Sequence, residues 1–254
     1  MNLSRCFAPR QLLFLFAAGL LTSGARLASG QETITLRDGT TQDVTVQGVT
    51  SSGVRVQLRA GVTLVEPFAN ITKLTMNAPA EYAAAEVAFE KGDLKTALAN
   101  EDSVVKSYRG LPTEWAQRAT LTLGDIYVAL DQLPQAEAAY NDYLKMYPGA
   151  GTAEVNVGMA RIDVSKKNFD AAKAKIDPIL TQGIKLRNPP KVASTLIGRA
   201  FYVSGQIKEA TGDLPGALED YLRTVTIFPE DRVAAAGAQA RADAIRKDHG
   251  TSVP

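Results

Sequence analysis

Two stretches of this chain, 81 residues apart, carry the same pattern. Residues 131–148 read DQLPQAEAAYNDYLKMYP and residues 212–229 read GDLPGALEDYLRTVTIFP. Leu133, Pro134, Ala136, Tyr140 and Pro148 match Leu214, Pro215, Ala217, Tyr221 and Pro229 without a gap, and Gly124 matches Gly205 at the same offset. A chain built this way is a repeat. No unit can bury its apolar face alone, so the units must stack. Two further copies fall in the frame, Gly92-Asp93-Leu94 with Ala97 and Asn168-Phe169 with Ala172. The marker residue runs Leu94, Leu133, Phe169, Leu214, at intervals of 39, 36 and 45. Apolar residues recur at three and four, so each unit is a pair of helices. The pattern predicts four helical hairpins over 78–229, a closing alanine-rich helix over 230–247 and a disordered tail over 248–254. An insertion at 181–191, holding Pro189-Pro190, accounts for the longest interval. Pro178 is expected to kink or shorten its helix, because it lacks the N–H that a helix interior needs.

Before the repeat the period changes to two. Ile34 and Leu36, Val44 and Val46, then Val54, Val56 and Leu58, Val62 and Leu64, and finally Ile71 alternate with polar residues. Turn residues separate the runs: Asp38-Gly39, Ser51-Ser52-Gly53, Ala60-Gly61 and Pro67. This predicts four or five short antiparallel strands over 31–77, forming a small barrel or curled sheet. The fold class is therefore α+β in separate domains. The β segment resembles small SH3-like or Sm-like barrels, in which an opening strand ends in DG(T/S) and a bent second strand carries a glycine, here Gly48. A sheet this small is marginal alone. It is expected to lean on the helices as a docking or spacing module, to self-associate, or to offer a strand edge to a peptide.

The first thirty residues read as a secretory signal. Arg5 and Arg10 precede the apolar run QLLFLFAAGLL, and small residues lead to a cut after Gly30. The run is short for a bilayer span, which needs about 20 apolar residues, so a retained anchor is the lesser alternative. The segment holds three arginines and no acid, leaving 25 basic and 27 acidic residues, net −2. Such a balance attracts neither nucleic acid nor anionic lipid. The one cysteine, Cys6, lies before the apolar run and leaves with it, so no disulfide, thiol nucleophile or lipid-bearing cysteine remains. The expected location is the periplasm, with secretion as an alternative.

The helical part resembles the tetratricopeptide repeat (TPR) family, in an exported form. Leu123-Gly124 and Tyr127 lie on the first helix of the second unit; Leu133, Ala136 and Tyr140 lie on its second helix, which Pro148 ends. The resemblance implies an α-hairpin solenoid packed through Leu94, Ala97, Gly124, Tyr127, Leu133, Ala136, Tyr140, Phe169, Ala172, Gly205, Leu214, Ala217 and Tyr221. It also implies that the first helix of each unit lines a concave groove. Projected onto this chain, the groove takes Tyr82, Glu86 and Phe89 from unit one, Arg118 and Asp125 from unit two, Arg161 from unit three, and Arg199, Tyr202 and Gln206 from unit four. Arg118, Arg161 and Arg199 recur about once per unit, as a basic stripe facing an acidic or C-terminal peptide or as plain solvated charges. The first unit departs from the pattern, with Glu101 where an aromatic belongs.

The inventory for chemistry is thin. The only His is His249, near the tail, and no phosphate loop, nucleophile elbow or zinc spacing occurs. The adjacent acids Glu101-Asp102, Glu219-Asp220 and Glu230-Asp231 point about 100° apart on a helix and share no site. Trp115 reads as a core or inter-helix residue. No catalysis, cofactor or metal is expected. The leading expectation is a periplasmic scaffold that binds other envelope proteins through its helical groove. The alternative is a module for envelope polymer, peptidoglycan or an acidic glycan. An open stack leaves a trough for a partner chain; helices collapsed into a globule closed around a polar cavity would remove the case for a non-catalytic adaptor.

Overall fold

A computed structural model describes residues 32–186 and 189–249. The expected signal over 1–30 and the tail beyond residue 249 lie outside the described residues.

The alternating segment forms five strands: β1 (Thr33–Leu36), β2 (Thr41–Val49), β3 (Gly53–Leu58), β4 (Thr63–Pro67) and β5 (Ile71–Thr75). Every pairing is antiparallel, in the order β4-β3-β2-β1-β5. Gly48 sits at a shift of register between Val46 and Gly48 against β3, with φ 145, so the bend expected at this glycine is a β-bulge. β4 and β5 do not pair, so the sheet is not closed into a barrel. The reason lies in what covers it. Ile34, Val44, Val54, Val56 and Leu74 pack against Leu111 and Ala116, with Tyr108, Trp115 and Phe68 around them. The helical part seals the sheet's apolar face, so the sheet need not curl onto itself. Trp115 donates from its indole N–H to the Met76 carbonyl at 3.3 Å and stands at this junction.

Among the described residues nine helices follow: α1 (Ala80–Glu90), α2 (Leu94–Tyr108), α3 (Glu114–Ala129), α4 (Leu133–Met146), α5 (Thr152–Ser165), α6 (Phe169–Gly183), α7 (Lys191–Ala210), α8 (Leu214–Thr226) and α9 (Arg232–His249). α1–α8 pair as four hairpins, and each hairpin packs on the next. The turns inside the hairpins are four copies of one device. Gly92, Asp131, Lys167 and Gly212 adopt left-handed φ of 76, 58, 60 and 87. The following N–H reaches back five residues to a carbonyl: Asp93 to Ala88, Gln132 to Tyr127, Asn168 to Asp163 and Asp213 to Lys208, at 2.8–2.9 Å. This is the Schellman ending of a helix, which favours glycine at the left-handed position. Lys167 has a Cβ there and bears the strain. Lys167→Gly is expected to stabilise the protein by about 0.5–1 kcal/mol, read as a higher urea midpoint at unchanged slope; no gain would mean the turn relaxes in solution.

Packing follows the frame. Ala97, Ala136, Ala172 and Ala217 are fully buried at corresponding positions. The marker residues Leu94, Leu133, Phe169 and Leu214 each pack against the core of their own hairpin, and Tyr127 joins Leu133 and Tyr140. A Cβ on Gly124 would come within 2.5 Å of the Tyr140 ring, and one on Gly205 within 2.5 Å of the Tyr221 ring. Helix and tyrosine meet at backbone distance, so both sites need glycine. α6 runs through Pro178 to Gly183 and is not cut short: Ile176 and Gly183 on either side of the proline are buried and hold the helix. Most of the extra length of the third interval over the second lies in α7 itself, which has 20 residues against 14 in α5.

Candidate functional site

The first helices α1, α3, α5 and α7 pack side by side, and α9 follows α7. α9 then returns to α1. Val233 joins the cluster of Ala88, Phe89 and Ile126, and Arg232 pairs with Glu90 at 3.0 Å. The concave face is therefore not an open trough. Its two ends meet, and what they enclose is polar.

Asp125 is the hub. Its side chain is almost fully buried and accepts three hydrogen bonds: from the Tyr140 hydroxyl at 2.8 Å, from Arg161 Nη1 at 2.8 Å and from Arg199 Nη1 at 2.9 Å. Arg199 also donates through Nε to Asp231, which caps α9 by accepting the Ala234 N–H at 2.9 Å. One ionic chain thus ties α3, α5, α7 and the start of α9. Burial alone would depress Arg199, but Asp125 and Asp231 hold its pKa above the ordinary value. Burial alone would raise Asp231, but Arg199 and the Ala234 N–H hold it below the carboxylate range. Burial, then the charge of Asp125, pushes the Tyr140 hydroxyl well up, so it stays a proton donor.

Beside this network lies a cavity of about 430 Å³. Tyr82, Glu86, Phe89, Arg118 and Arg199 line it, and a second cavity of about 30 Å³ shares Phe89 and Arg199 and adds Asp125, Arg161 and Tyr202. Eight of the nine groove residues projected from the repeat thus meet at adjoining cavities; Gln206, half-buried on α7, lines neither.

The basic stripe needs correction. Arg161 and Arg199 are neither solvated nor free for an acidic ligand: their side chains are 22% and 24% exposed and both are bound to Asp125. Only Arg118 faces the cavity in the open, paired with Glu86 at 3.6 Å. The sequence reading gives Asp231 only as one of two adjacent acids that share no site, and misses that it caps α9 and joins the network through Arg199. It missed Glu101 as well. That carboxyl is fully buried on α2 with no hydrogen-bond partner on either oxygen, and its pKa is pushed up to about 8, first by burial and then by Glu86, with Arg118 opposing. The signal was there, an acid where Tyr140 and Tyr221 stand.

Among the described residues no group of His, Cys, Asp and Glu is placed to hold a metal, and no helix is long and apolar enough to cross a membrane. Comparison with protein-family models, with curated proteins and with solved structures returns no match for this chain.

Proposed function

We propose that this chain is an exported, periplasmic and non-catalytic scaffold: a tetratricopeptide-type solenoid, steadied by its sheet, that binds a segment of another envelope protein at the mouth of its concave face. Closure of that face around a polar network takes away the open trough from which the adaptor reading starts; the hairpins still keep their stack, and what supports the reading is the division of labour on that face. The deepest charges are spent on each other, since Asp125, Arg161, Arg199 and Asp231 form one closed network. The other residues that surround the cavity of about 430 Å³ mix rings, aliphatic groups and charges. That is the make-up of a recognition site rather than of a proton-transfer centre, where a base needs an unclaimed lone pair in reach of substrate. The polymer-binding alternative loses its motive, because two of the three arginines that would grip an acidic glycan already hold carboxylates.

The test is a photo-crosslinking residue at Val192, which is 68% exposed and lines the cavity, in the full chain in its source organism. A discrete protein adduct is expected there and not from the same probe at Val87, which is exposed on α1 outside the cavity lining. Equal adducts from both positions, or adducts with cell-wall strands alone, overturn the proposal.

A further inference from the structure

We infer that the mouth of the large cavity recognises a cationic side chain, lysine or arginine, on a basic segment of its partner polypeptide. The inference rests on the scaffold reading and names the partner's chemistry. It reverses the acidic ligand that the arginine pattern alone implies.

The argument is one of charge left over. Three of the four cations on the cavity wall are already matched. Arg118 meets Glu86, Arg232 meets Glu90 and Arg199 meets Asp231 as well as Asp125. What stands on the wall without an ion pair among the described residues is Glu114, Glu154 and Glu230 against Lys191 alone. The mouth is net negative. Glu114 opens α3 and Glu154 lies in the first turn of α5, where an acid also favours the helix dipole. That explains why acids are tolerated at these positions. It supplies no mobile counter-ion, and the wall keeps three carboxylates against one lysine without an ion pair among the described residues. Glu101 adds nothing to this balance: buried without a hydrogen-bond partner, it holds its proton up to about pH 8.

The apolar lining selects among cations. Tyr82 and Phe89 lie on one side, and Val192 and Leu196 come from α7. Rings attract a cation through their faces, and aliphatic groups cover a methylene stem. A lysine or arginine side chain carries both parts; a bare metal ion carries only one. No cluster of metal-ligating groups is found among the described residues.

The experiment measures binding of labelled nonapeptides, one rich in lysine and arginine and one rich in glutamate, to the folded chain at moderate salt. The basic peptide is expected to bind and the acidic one not. The triple variant Glu114→Gln, Glu154→Gln and Glu230→Gln is expected to weaken the basic peptide by about tenfold or more, as loss of three facing charges requires. A second triple variant, Glu137→Gln, Asp142→Asn and Glu219→Gln, removes the same charge from residues outside the cavity lining and is expected to change affinity by less than about threefold. Cooperative melting of both variants checks the fold. Equal loss in the two triples, tighter binding of the acidic peptide, no binding of either, or displacement by spermine at equal affinity each overturns the inference. These results are separable from failure of the scaffold reading. A crosslinked partner whose bound segment is acidic or neutral sinks the charge assignment and leaves the scaffold standing, whereas indiscriminate adducts at Val192 and Val87 remove the scaffold itself.

Discussion

Asp125→Ala is expected to cost about 3–5 kcal/mol of folding stability, read by urea unfolding near neutral pH, and no other single change among the ion-paired residues should cost more. The size comes from what is left behind rather than from what is removed. The carboxylate serves Tyr140, Arg161 and Arg199 at once, at 2.8, 2.8 and 2.9 Å. Without it Arg199 keeps Asp231, but Arg161 keeps no carboxylate among the described residues, and the Tyr140 hydroxyl loses its acceptor in a fully buried site. Buried donors stripped of their acceptor bear the full desolvation penalty. Asp125→Asn should cost less, since an amide oxygen still accepts but carries no charge. The contrast is Glu137→Ala, which breaks an exposed pair with Lys166 and should cost well under about 1 kcal/mol. If Asp125→Ala cost no more than Glu137→Ala, the three first helices would not meet at Asp125 in solution, and the closed concave face would be wrong.

How much of this was legible in the sequence depends on what each feature requires. The hairpin frame was, because it is local. The intervals of 39, 36 and 45 read from Leu94, Leu133, Phe169 and Leu214 return in the left-handed residues Gly92, Asp131, Lys167 and Gly212, each two positions before its marker. Turn chemistry and helix start travel together, so one reports the other. The glycine–tyrosine contacts were legible too, since Gly124 with Tyr140 and Gly205 with Tyr221 keep the same spacing. Closure of the ring was not. It depends on the small rotation from one hairpin to the next, which no single position encodes. The nearest signal was charge. Asp125 and Arg161 occupy corresponding positions in successive units with opposite sign, and hairpins packed one on the next bring such positions together. Sorting the arginines by their position in the unit, instead of by their recurrence, separates Arg161 from Arg118 and Arg199 and dissolves the stripe. The open sheet was equally hidden. Its edge strands stay apart because Leu111, Ala116, Tyr108 and Trp115, all beyond the β segment, cover the face that closure would have buried.

Glu101→Gln is expected to abolish most of the fall in stability with rising pH. The position is occupied by Tyr140, Ile176 and Tyr221 in the other units, and all four side chains are buried. A carboxyl there has no hydrogen-bond donor in reach and is fully shut off from solvent, so burial first, and the nearby charge of Glu86 second, hold its proton on up to about pH 8. The unfolded chain releases that proton near pH 4.5. Between those values the folded state binds more protons than the unfolded one, so stability falls as pH rises, by at most about 1.4 kcal/mol per pH unit. The contribution is constant below the lower value and fully lost above the upper. Glutamine has nearly the same shape and does not titrate. The variant should match the parent within about 1 kcal/mol at pH 4.5 and exceed it by about 2–4 kcal/mol at pH 8.5, where the parent must bury an unpaired anion. Urea midpoints across that range decide the matter. Parallel stability curves for parent and variant would mean that Glu101 reaches solvent or a partner, and that the Glu86–Arg118 corner of the cavity is looser than its geometry implies.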